Sequence, residues 1–306
     1  MALKIHLKNY FIFLTLLLCI FSQSSIAYDS FRFKCKQKQH PFGMIATSAI
    51  LDEIENTLPA DPPISRTGKS LVTYNKQGFD VIDSVTAEKS FLIQAISDFS
   101  KSAPYPILEI GGGYGRLSKI MLEQGATVIE NDLELPHLIY GRKLVASELR
   151  ERLYLNTYRF PQGMILEKNS LSAVVLYRVI HLMTPDEIEE GFAKIKGWLV
   201  PGGKLFIAVL PPQHVGYRDK ILSLYEQRWR QGEAWPGEGL KSEMLLPQQA
   251  YALPETLHVM DERPLKKALI KYGFTVEKYG FIDMNKFQDQ SAKAGQELFG
   301  LVAVKS

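Results

Sequence analysis

Five residues near the middle of the chain form a pattern that could bind a polar ligand. Glu109 is followed closely by Gly111, Gly112, Gly113 and Gly115. Glycine lets the backbone approach a ligand closely, and a loop that enters a helix presents free N–H groups. The carboxylate ahead of the glycines adds a side chain that only accepts hydrogen bonds. The pattern predicts a loop that binds a ligand through its backbone and one acid.

Two common nucleotide-binding loops do not fit this spacing. A dinucleotide fingerprint has the form G-x-G-x-x-G, but its sixth position is Arg116 when counted from Gly111 and Ser118 when counted from Gly113. A P-loop ends in Gly-Lys followed by Ser or Thr, whereas Gly115 is followed by Arg116. An NAD-linked oxidoreductase is therefore disfavoured.

The residues around the loop predict the elements that must position it. Residues 107–110 are a short apolar run typical of a buried strand, and residues 116–124 have the spacing of an amphipathic helix. Gly125 closes that helix, and residues 126–129 predict the next strand. Strand, loop, helix and strand form a βαβ unit, which builds parallel sheets.

The same alternation continues along most of the chain. We predict helices at residues 87–101, 135–150, 185–199 and 263–272, and strands at 153–156, 173–176, 204–210, 275–279 and 298–304. This layout predicts an α/β fold with a doubly wound, mostly parallel, Rossmann-like sheet of seven strands.

Four segments of the chain resemble motifs of one family. Residues 107–117, which read ILEIGGGYGRL, resemble the first motif of the class I S-adenosylmethionine-dependent methyltransferases. Residues 173–182 are similar to the fourth-strand motif, which ends at the reacting methyl group, and residues 199–207 to the entry of the fifth strand. Residues 298–304 are similar to the last strand, which closes an antiparallel hairpin. The resemblance covers about residues 84–306.

This resemblance implies S-adenosylmethionine as the cofactor and a set of residues that bind it. In the family, the glycine loop carries the methionine part, and a carboxylate at the end of the second strand binds the ribose hydroxyls. Asp132, 21 positions after Gly111, corresponds to that carboxylate, with Glu130 as the alternative. Family members often bind the adenine amino group with an acid after the third strand, where this chain offers only Asn156. The expected cofactor-binding residues are Glu109, Gly111, Gly112, Gly113, Gly115, Asp132, Leu133, Asn156 and Tyr177.

Two histidines are candidates for the chemistry. Methyl transfer from a sulfonium is an in-line displacement that mainly needs the nucleophile to be aligned. A hydroxyl acceptor would also gain from a general base, for which histidine suits. His181 ends the fourth-strand segment, and His214 follows the fifth strand, with Tyr217 as an alternative; a packing or capping role is the other interpretation of His181. No metal-ligand cluster is recognisable, so we predict a metal-independent reaction.

The acceptor is expected to be a small molecule or a surface glycan, methylated on oxygen. Residues 109–117 and 132–136 are faintly similar to a group of sugar O-methyltransferases, over the first βαβ unit only. The fourth-strand segment lacks the Asn/Asp-Pro-Pro-Tyr/Phe string of amino-methylating DNA and protein enzymes. The net charge of +3 gives no reason to expect a nucleic-acid partner. A non-enzymatic binding module that keeps the fold is the alternative function.

The composition is that of a folded globular protein. The chain has 306 residues, of which 46% are hydrophobic and 23% charged, which excludes a highly charged disordered chain. Cys19 and Cys35 are its only cysteines, so a disulfide-stapled scaffold and a cysteine-based zinc site are excluded. The sequence does not indicate an oligomeric state.

The N-terminus has the three parts of a secretory signal peptide. Two lysines precede the apolar run 11–21, and small residues lead to a cleavage site after Ala27. The run is shorter than the ~20 residues of a spanning helix. We predict a signal peptide over residues 1–27 and export to the periplasm or the medium. The alternative is an uncleaved anchor through residues 10–26 with the domain in the cytosol, because basic residues follow closely.

The rest of the chain divides into two parts. Residues 28–69 predict a helical preface, with one helix at 44–58 that packs on the following domain. Residues 70–306 predict the methyltransferase domain. The alternation of strands and helices lapses between residues 211 and 260, where we predict a substrate lid containing a helix at 218–230; a decorative helical excursion is the alternative.

Overall fold

The structure is a computed structural model. It describes residues 39–40, 43–44, 48–68, 70–80, 90–282 and 296–306. The predicted signal peptide, residues 1–27, lies outside the described residues. Within the described ranges, no helix combines the length and the apolar character needed to cross a bilayer.

The described residues form thirteen strands and eight α-helices. The strands are β1 (Gln39–His40), β2 (Gly43–Met44), β3 (Leu71–Val72), β4 (Phe79–Asp80), β5 (Ile107–Ile110), β6 (Val128–Asn131), β7 (Leu153–Asn156), β8 (Leu171–Tyr177), β9 (Leu199–Val209), β10 (Leu240–Lys241), β11 (Thr256–Leu257), β12 (Phe274–Ile282) and β13 (Leu298–Lys305). The helices are α1 (Ser48–Thr57), α2 (Phe91–Ser100), α3 (Arg116–Glu123), α4 (Leu135–Leu144), α5 (Pro185–Trp198), α6 (Arg218–Arg230), α7 (Ser242–Leu245) and α8 (Glu262–Lys271).

The main sheet of the described residues has the strand order β1-β2-β7-β6-β5-β8-β9-β13-β12. Strands β7, β6, β5, β8 and β9 are parallel, whereas β13 runs antiparallel to both β9 and β12. The predicted seven-stranded, mostly parallel sheet with a C-terminal antiparallel hairpin is confirmed. The two-residue strands β1 and β2 extend it beyond β7, through the pairing of Met44 with Leu155.

The sheet is buried on both faces, which explains its apolar strands. Alternate residues of β5 point to opposite layers: Ile107 packs with Leu92 and Leu117, and Leu108 packs with Phe192 and Leu269. Parallel sheets with helices on both faces need strands that are apolar throughout. The carboxyl ends of these rigid strands carry the loops of the site.

Several element boundaries differ from the prediction. The helix expected at 135–150 ends at Leu144, because Val145 takes an extended conformation and a 3-10 helix follows at Ser147–Arg152. Strand β8 begins at Leu171, two residues early. Strand β9 begins at Leu199 and includes the Pro-Gly-Gly turn. Its pairing with β8 shifts register there, between Leu171 and Ala173.

The N-terminal helix packs on the domain as predicted. Ile54 of α1 contacts a cluster with Leu138 and Ile139 of α4. The guanidinium of Arg142, on α4, donates to Asp52 at 2.7 Å and to Glu55 at 2.8 Å. These contacts fix α1 beside the helix that follows β6.

Helix α6 occupies the predicted range 218–230. The small hairpin of β10 and β11 and the short helix α7, which also belong to the 211–260 insertion, were not predicted. Buried side chains of the insertion, among them Tyr217, Ile221 and Tyr225, join the same hydrophobic layer as Ile107. The insertion is therefore anchored on the core.

Candidate functional site

A cavity of about 1510 Å³ lies at the carboxyl ends of β5, β6 and β8. Its wall combines the glycine loop at residues 111–113, the β4 strand at 79–80 and the insertion at 245–249. In open α/β sheets, ligands bind at this edge. The cavity brings together most of the residues that the sequence singled out.

Two positions of the glycine loop tolerate no side chain. Gly111 has a φ of +71°, and a Cβ there would lie 2.7 Å from Val179 Cγ2. Gly115 has a φ of +69°, and its Cβ would lie 2.6 Å from Gly141 Cα. The left-handed backbone and the close contacts explain why the loop needs glycine. Gly111, Gly112 and Gly113 line the cavity, but Gly115 does not, because it begins α3 and packs against α4. The cofactor contact expected from Gly115 stays a prediction, and in the structure this residue has a packing role.

Asp132 lies directly after β6 and joins the loop to the next helix. Its Oδ2 accepts the Gly113 N–H at 3.0 Å. Its Oδ1 accepts the Glu134 N–H at 3.0 Å and a hydrogen bond from His137 Nδ1 at 2.9 Å. An ionised carboxylate has about four acceptor positions, so one remains, on Oδ2. The geometry leaves room for one ligand hydroxyl, whereas the sequence predicted two.

His137 orients Asp132, and the sequence analysis missed it. Its buried ring accepts the Tyr74 N–H at Nε2, at 2.9 Å. The ring hydrogen must then lie on Nδ1, where it is donated to Asp132. The available signal was a histidine in the first turn of the helix that follows Asp132.

The hairpin of β3 and β4 closes over the glycine loop. The Tyr114 hydroxyl donates to the Val72 carbonyl at 2.7 Å, and Arg116 Nε donates to Asp80 at 2.5 Å. Phe79 and Asp80 line the cavity. Neither strand was predicted, because two-residue strands lack a measurable alternation.

Glu130 lies beneath the loop and does not line the cavity. It is fully buried against Gly115 and Gly141, and neither carboxyl oxygen has a hydrogen-bond partner among the described residues. Burial, together with the charges of Glu109 and Asp132, raises the pKa of Glu130 well above its usual range. Of the two carboxyl groups considered for the ribose, Asp132 lines the cavity and Glu130 does not, and the ribose contact stays a prediction.

Glu109 lines the cavity beside the glycines. Its Oε2 accepts a hydrogen bond from Ser118 Oγ at 2.5 Å. Burial raises the pKa of Glu109 to about 8, against the opposing effect of that hydrogen bond. The carboxyl is mostly protonated at pH 7, and a cationic ligand group nearby would lower its pKa and so ionise it.

The two candidate histidines both line the cavity. Burial lowers the pKa of His181 to about 3 and that of His214 to about 4, and the nearby charge of Arg178 adds to both shifts. His214 Nδ1 accepts the Gly216 N–H at 3.0 Å, which leaves the ring hydrogen on Nε2. Both rings are neutral at pH 7, and His181 is the one whose Nδ1 has no partner among the described residues.

Of the three remaining predicted cofactor residues, two line the cavity and one does not. Tyr177 and the half-exposed Leu133 line the cavity. Asn156 does not line it, and its Oδ1 accepts from Asn131 Nδ2 and from the Tyr158 N–H, both at 2.9 Å. The adenine contact expected from Asn156 stays a prediction, and in the structure its carboxamide is engaged in the turn after β7.

Arg178 is a further residue that the sequence analysis did not single out. It follows β8 with a φ of +60° and lines the cavity. Its Nη1 donates to the Phe79 carbonyl at 3.2 Å. Burial lowers its pKa.

In the part of the chain that the structure describes, no group of three or more His, Cys, Asp or Glu side chains could hold a metal ion.

Comparison with known proteins gives one family match and structures with a similar fold. Residues 107–203 match the model of a family described as a methyltransferase domain. A solved S-adenosylmethionine-dependent methyltransferase from Mesorhizobium loti is 15% identical, with a TM-score of 0.51, over 71% of this chain and 99% of that one. The 1,6-didemethyltoxoflavin-N1-methyltransferase of Burkholderia thailandensis is 19% identical, with a TM-score of 0.49, over 73% of this chain and 81% of that one. No curated protein gives a significant match.

The fold and the family match define the class of protein. The matched segment spans the glycine loop, Asp132, Arg178 and His181, which are residues of the cavity. The chain has the fold of the class I methyltransferases, residues 107–203 resemble a methyltransferase domain, and the prediction of an enzyme is confirmed.

Proposed function

We propose that this protein transfers the methyl group of S-adenosylmethionine to an oxygen atom of a small molecule or a glycan. The observation that carries the proposal is the cavity that joins the glycine loop and Asp132 to the two histidines. When bound, the cofactor supplies an electrophilic methyl group on a sulfonium.

The residues at the loop end of the cavity fit this cofactor. Gly111 and Gly113 have left-handed backbones that only glycine adopts readily, so a ligand can lie directly on the loop. Asp132 keeps one acceptor position for a ribose hydroxyl. Glu109, once ionised, would accept hydrogen bonds from the ammonium group of the methionine part.

The size of the cavity supports a second ligand beside the cofactor. Ligand pockets commonly measure about 300–1,000 Å³, and this cavity is larger, at about 1510 Å³. Residues 245–249 and His214 of the insertion form part of its wall. We assign the acceptor to this side, with the insertion 211–260 as the lid.

Positioning carries most of the chemistry in this proposal. A base with a pKa of about 3, such as His181, is a weak proton acceptor at neutral pH. Holding the hydroxyl in line with the methyl group, in a cavity closed by the β3–β4 hairpin, lowers the barrier without a strong base. As the new carbon–oxygen bond formed and the methyl–sulfur bond broke, His181 would accept the hydroxyl proton, which is strongly acidic once the oxygen is methylated, and S-adenosylhomocysteine would leave.

We also propose that the protein is exported, on the basis of its N-terminal sequence. Membrane attachment through residues 10–26 is the alternative. Fractionation of cells that express the full chain with a C-terminal tag decides between them: export predicts a processed form outside the cytosol, and an anchor predicts an unprocessed form in the membrane.

Calorimetric titration with S-adenosylhomocysteine tests the proposed function. We expect the purified protein to bind it and Asp132→Ala to bind at least tenfold more weakly, because the variant loses the acceptor and two loop contacts. Asp98→Ala, at an exposed ion pair with Lys101, is the matched control and should bind as the wild type does. Absence of binding, or unchanged binding by a folded Asp132→Ala variant, would contradict the proposal.

A further inference from the structure

Arg178 lies at the cavity and has an unfavourable backbone conformation. Its φ of +60° lies in the left-handed region, which is costly for a residue with a Cβ. Its N–H donates to the Ala208 carbonyl of β9 at 2.9 Å, which fixes the residue at the end of the sheet. Strained backbones of this kind concentrate at ligand sites.

The guanidinium of Arg178 is poorly satisfied within the protein. Nη1 donates to the Phe79 carbonyl, but Nε is shielded from solvent and has no hydrogen-bond partner among the described residues. Within the same part of the chain, Arg178 forms no ion pair, and Asp80, the carboxylate whose charge acts on it, is bonded to Arg116 at 2.5 Å. A desolvated cation is stable only when an anion or several acceptors surround it.

Charged side chains on the cavity wall are unevenly distributed. The glycine-loop end carries the carboxyl groups of Glu109, Asp132 and Glu134. The rest of the wall carries Arg66, Arg178 and Lys220, together with Asp80, which is paired with Arg116, and the pair of Arg159 and Glu187. The Arg66 guanidinium lies 4.0 Å from the centre of the Tyr251 ring, which in turn contacts Phe79 edge-on at 6.0 Å. Glu297 also lines the cavity, but it already interacts within the chain.

We propose that the methyl acceptor is an anion, and that Arg178 binds its carboxylate or phosphate group. This inference rests on the proposed function and names the class of its substrate. The planar guanidinium of arginine matches both oxyanions in a two-point hydrogen-bonded geometry. The second terminal nitrogen would supply one donor, and Nε, which is shielded in this structure, would supply the other after the side chain shifts toward the ligand.

The position of Arg178 favours the acceptor over the cofactor as the source of this anion. The charge of Arg178 acts on His181 and His214, which lie at the end of β8 and at the start of the insertion. Its side chain reaches Phe79 on the hairpin. Phe79, His181 and His214 all line the cavity, and the histidine side is the one that we assign to the acceptor.

The test is a titration of the S-adenosylhomocysteine-saturated protein with inorganic phosphate and with acetate. We expect the wild type to bind at least one of them in the millimolar range and Arg178→Gln to bind at least tenfold more weakly. Arg178→Lys, which keeps the charge but not the fork of donors, should be intermediate. The matched control is Arg159→Gln, since Arg159 lines the same cavity but is exposed and paired with Glu187; it should bind as the wild type does.

Three results would overturn the inference. One is that neither anion binds the wild type, and another is that phosphate and acetate affinity is unchanged in both Arg178 variants. The third is that Arg178→Gln weakens S-adenosylhomocysteine but leaves 5′-methylthioadenosine unchanged, which would assign the arginine to the carboxylate of the cofactor. Repeating the phosphate titration without S-adenosylhomocysteine tests the anion site on its own. Failure of Arg178 to bind an anion can then be told apart from failure of the protein to bind the cofactor.

Discussion

Cofactor affinity should depend steeply on pH, because Glu109 must lose a proton to receive a cationic group. The pKa of Glu109 is raised to about 8 by burial. Roughly 1% of the carboxyl is ionised at pH 6 and about half at pH 8. If the bound form is fully ionised, affinity for S-adenosylhomocysteine rises about 50-fold between these pH values, which is about 2.3 kcal/mol.

The assay is calorimetric titration at pH 6, 7 and 8, repeated in buffers that differ in ionisation enthalpy. At pH 6 and 7 the dependence of the observed enthalpy on the buffer should report the release of close to one proton for each ligand bound. Glu109→Gln cannot ionise, so its affinity should be weaker at pH 8 and nearly constant with pH. Glu130→Gln is the matched control, because Glu130 does not line the cavity, and it should keep the steep dependence.

A flat pH profile of the wild type, with no proton release, would refute this reasoning. It would mean that Glu109 has the same protonation state in the free protein and in the complex. If the affinity of Glu109→Gln still depended steeply on pH, the proton released on binding would come from another group of the cavity.

Two further predictions concern stability. The pKa of His258 is lowered by burial to about 4 in the folded protein, so the unfolded chain binds more protons below pH 6.5, and stability falls as the pH decreases. Denaturant unfolding at pH 7.5 and pH 5 should show that the acid loss is about 2 kcal/mol smaller in His258→Gln than in the wild type; an equal loss in both would contradict the buried neutral ring. In the glycine loop, Gly113→Ala should cost about 1 kcal/mol for its left-handed backbone alone, because no atom lies within 4 Å of the added Cβ. Gly115→Ala should lower the melting temperature more, since its Cβ would lie 2.6 Å from Gly141 Cα; equal effects of the two variants would show that α3 and α4 separate easily.

Much of the fold could be predicted from sequence because its signals are local and repeated. The apolar runs of β5 to β9 and the amphipathic helices between them each report burial on one or both sides, and the order of elements then restricts the topology. The break after Leu144 was missed, because the apolar spacing of residues 135–150 continues across it while Val145 turns extended.

Site residues could be predicted only where the residue type and its spacing indicate a role by themselves. Asp132 and the glycines were predicted on this basis. His137 and Arg178 were missed, because their roles come from contacts with Tyr74 and Phe79, which lie far away in the chain. Glu130 and Asp132 are two residues apart and both are buried, and only the three-dimensional packing shows that Asp132 lines the cavity whereas Glu130 does not.

A crystal structure of the protein with S-adenosylhomocysteine tests the central claim most directly. The account predicts that the homocysteine part lies on Gly111 and Gly113, with its amino group at Glu109, and that one ribose hydroxyl donates to Asp132 Oδ2. The sulfur should point toward His181. A ligand bound outside this cavity, or with its ribose away from Asp132, would contradict the account.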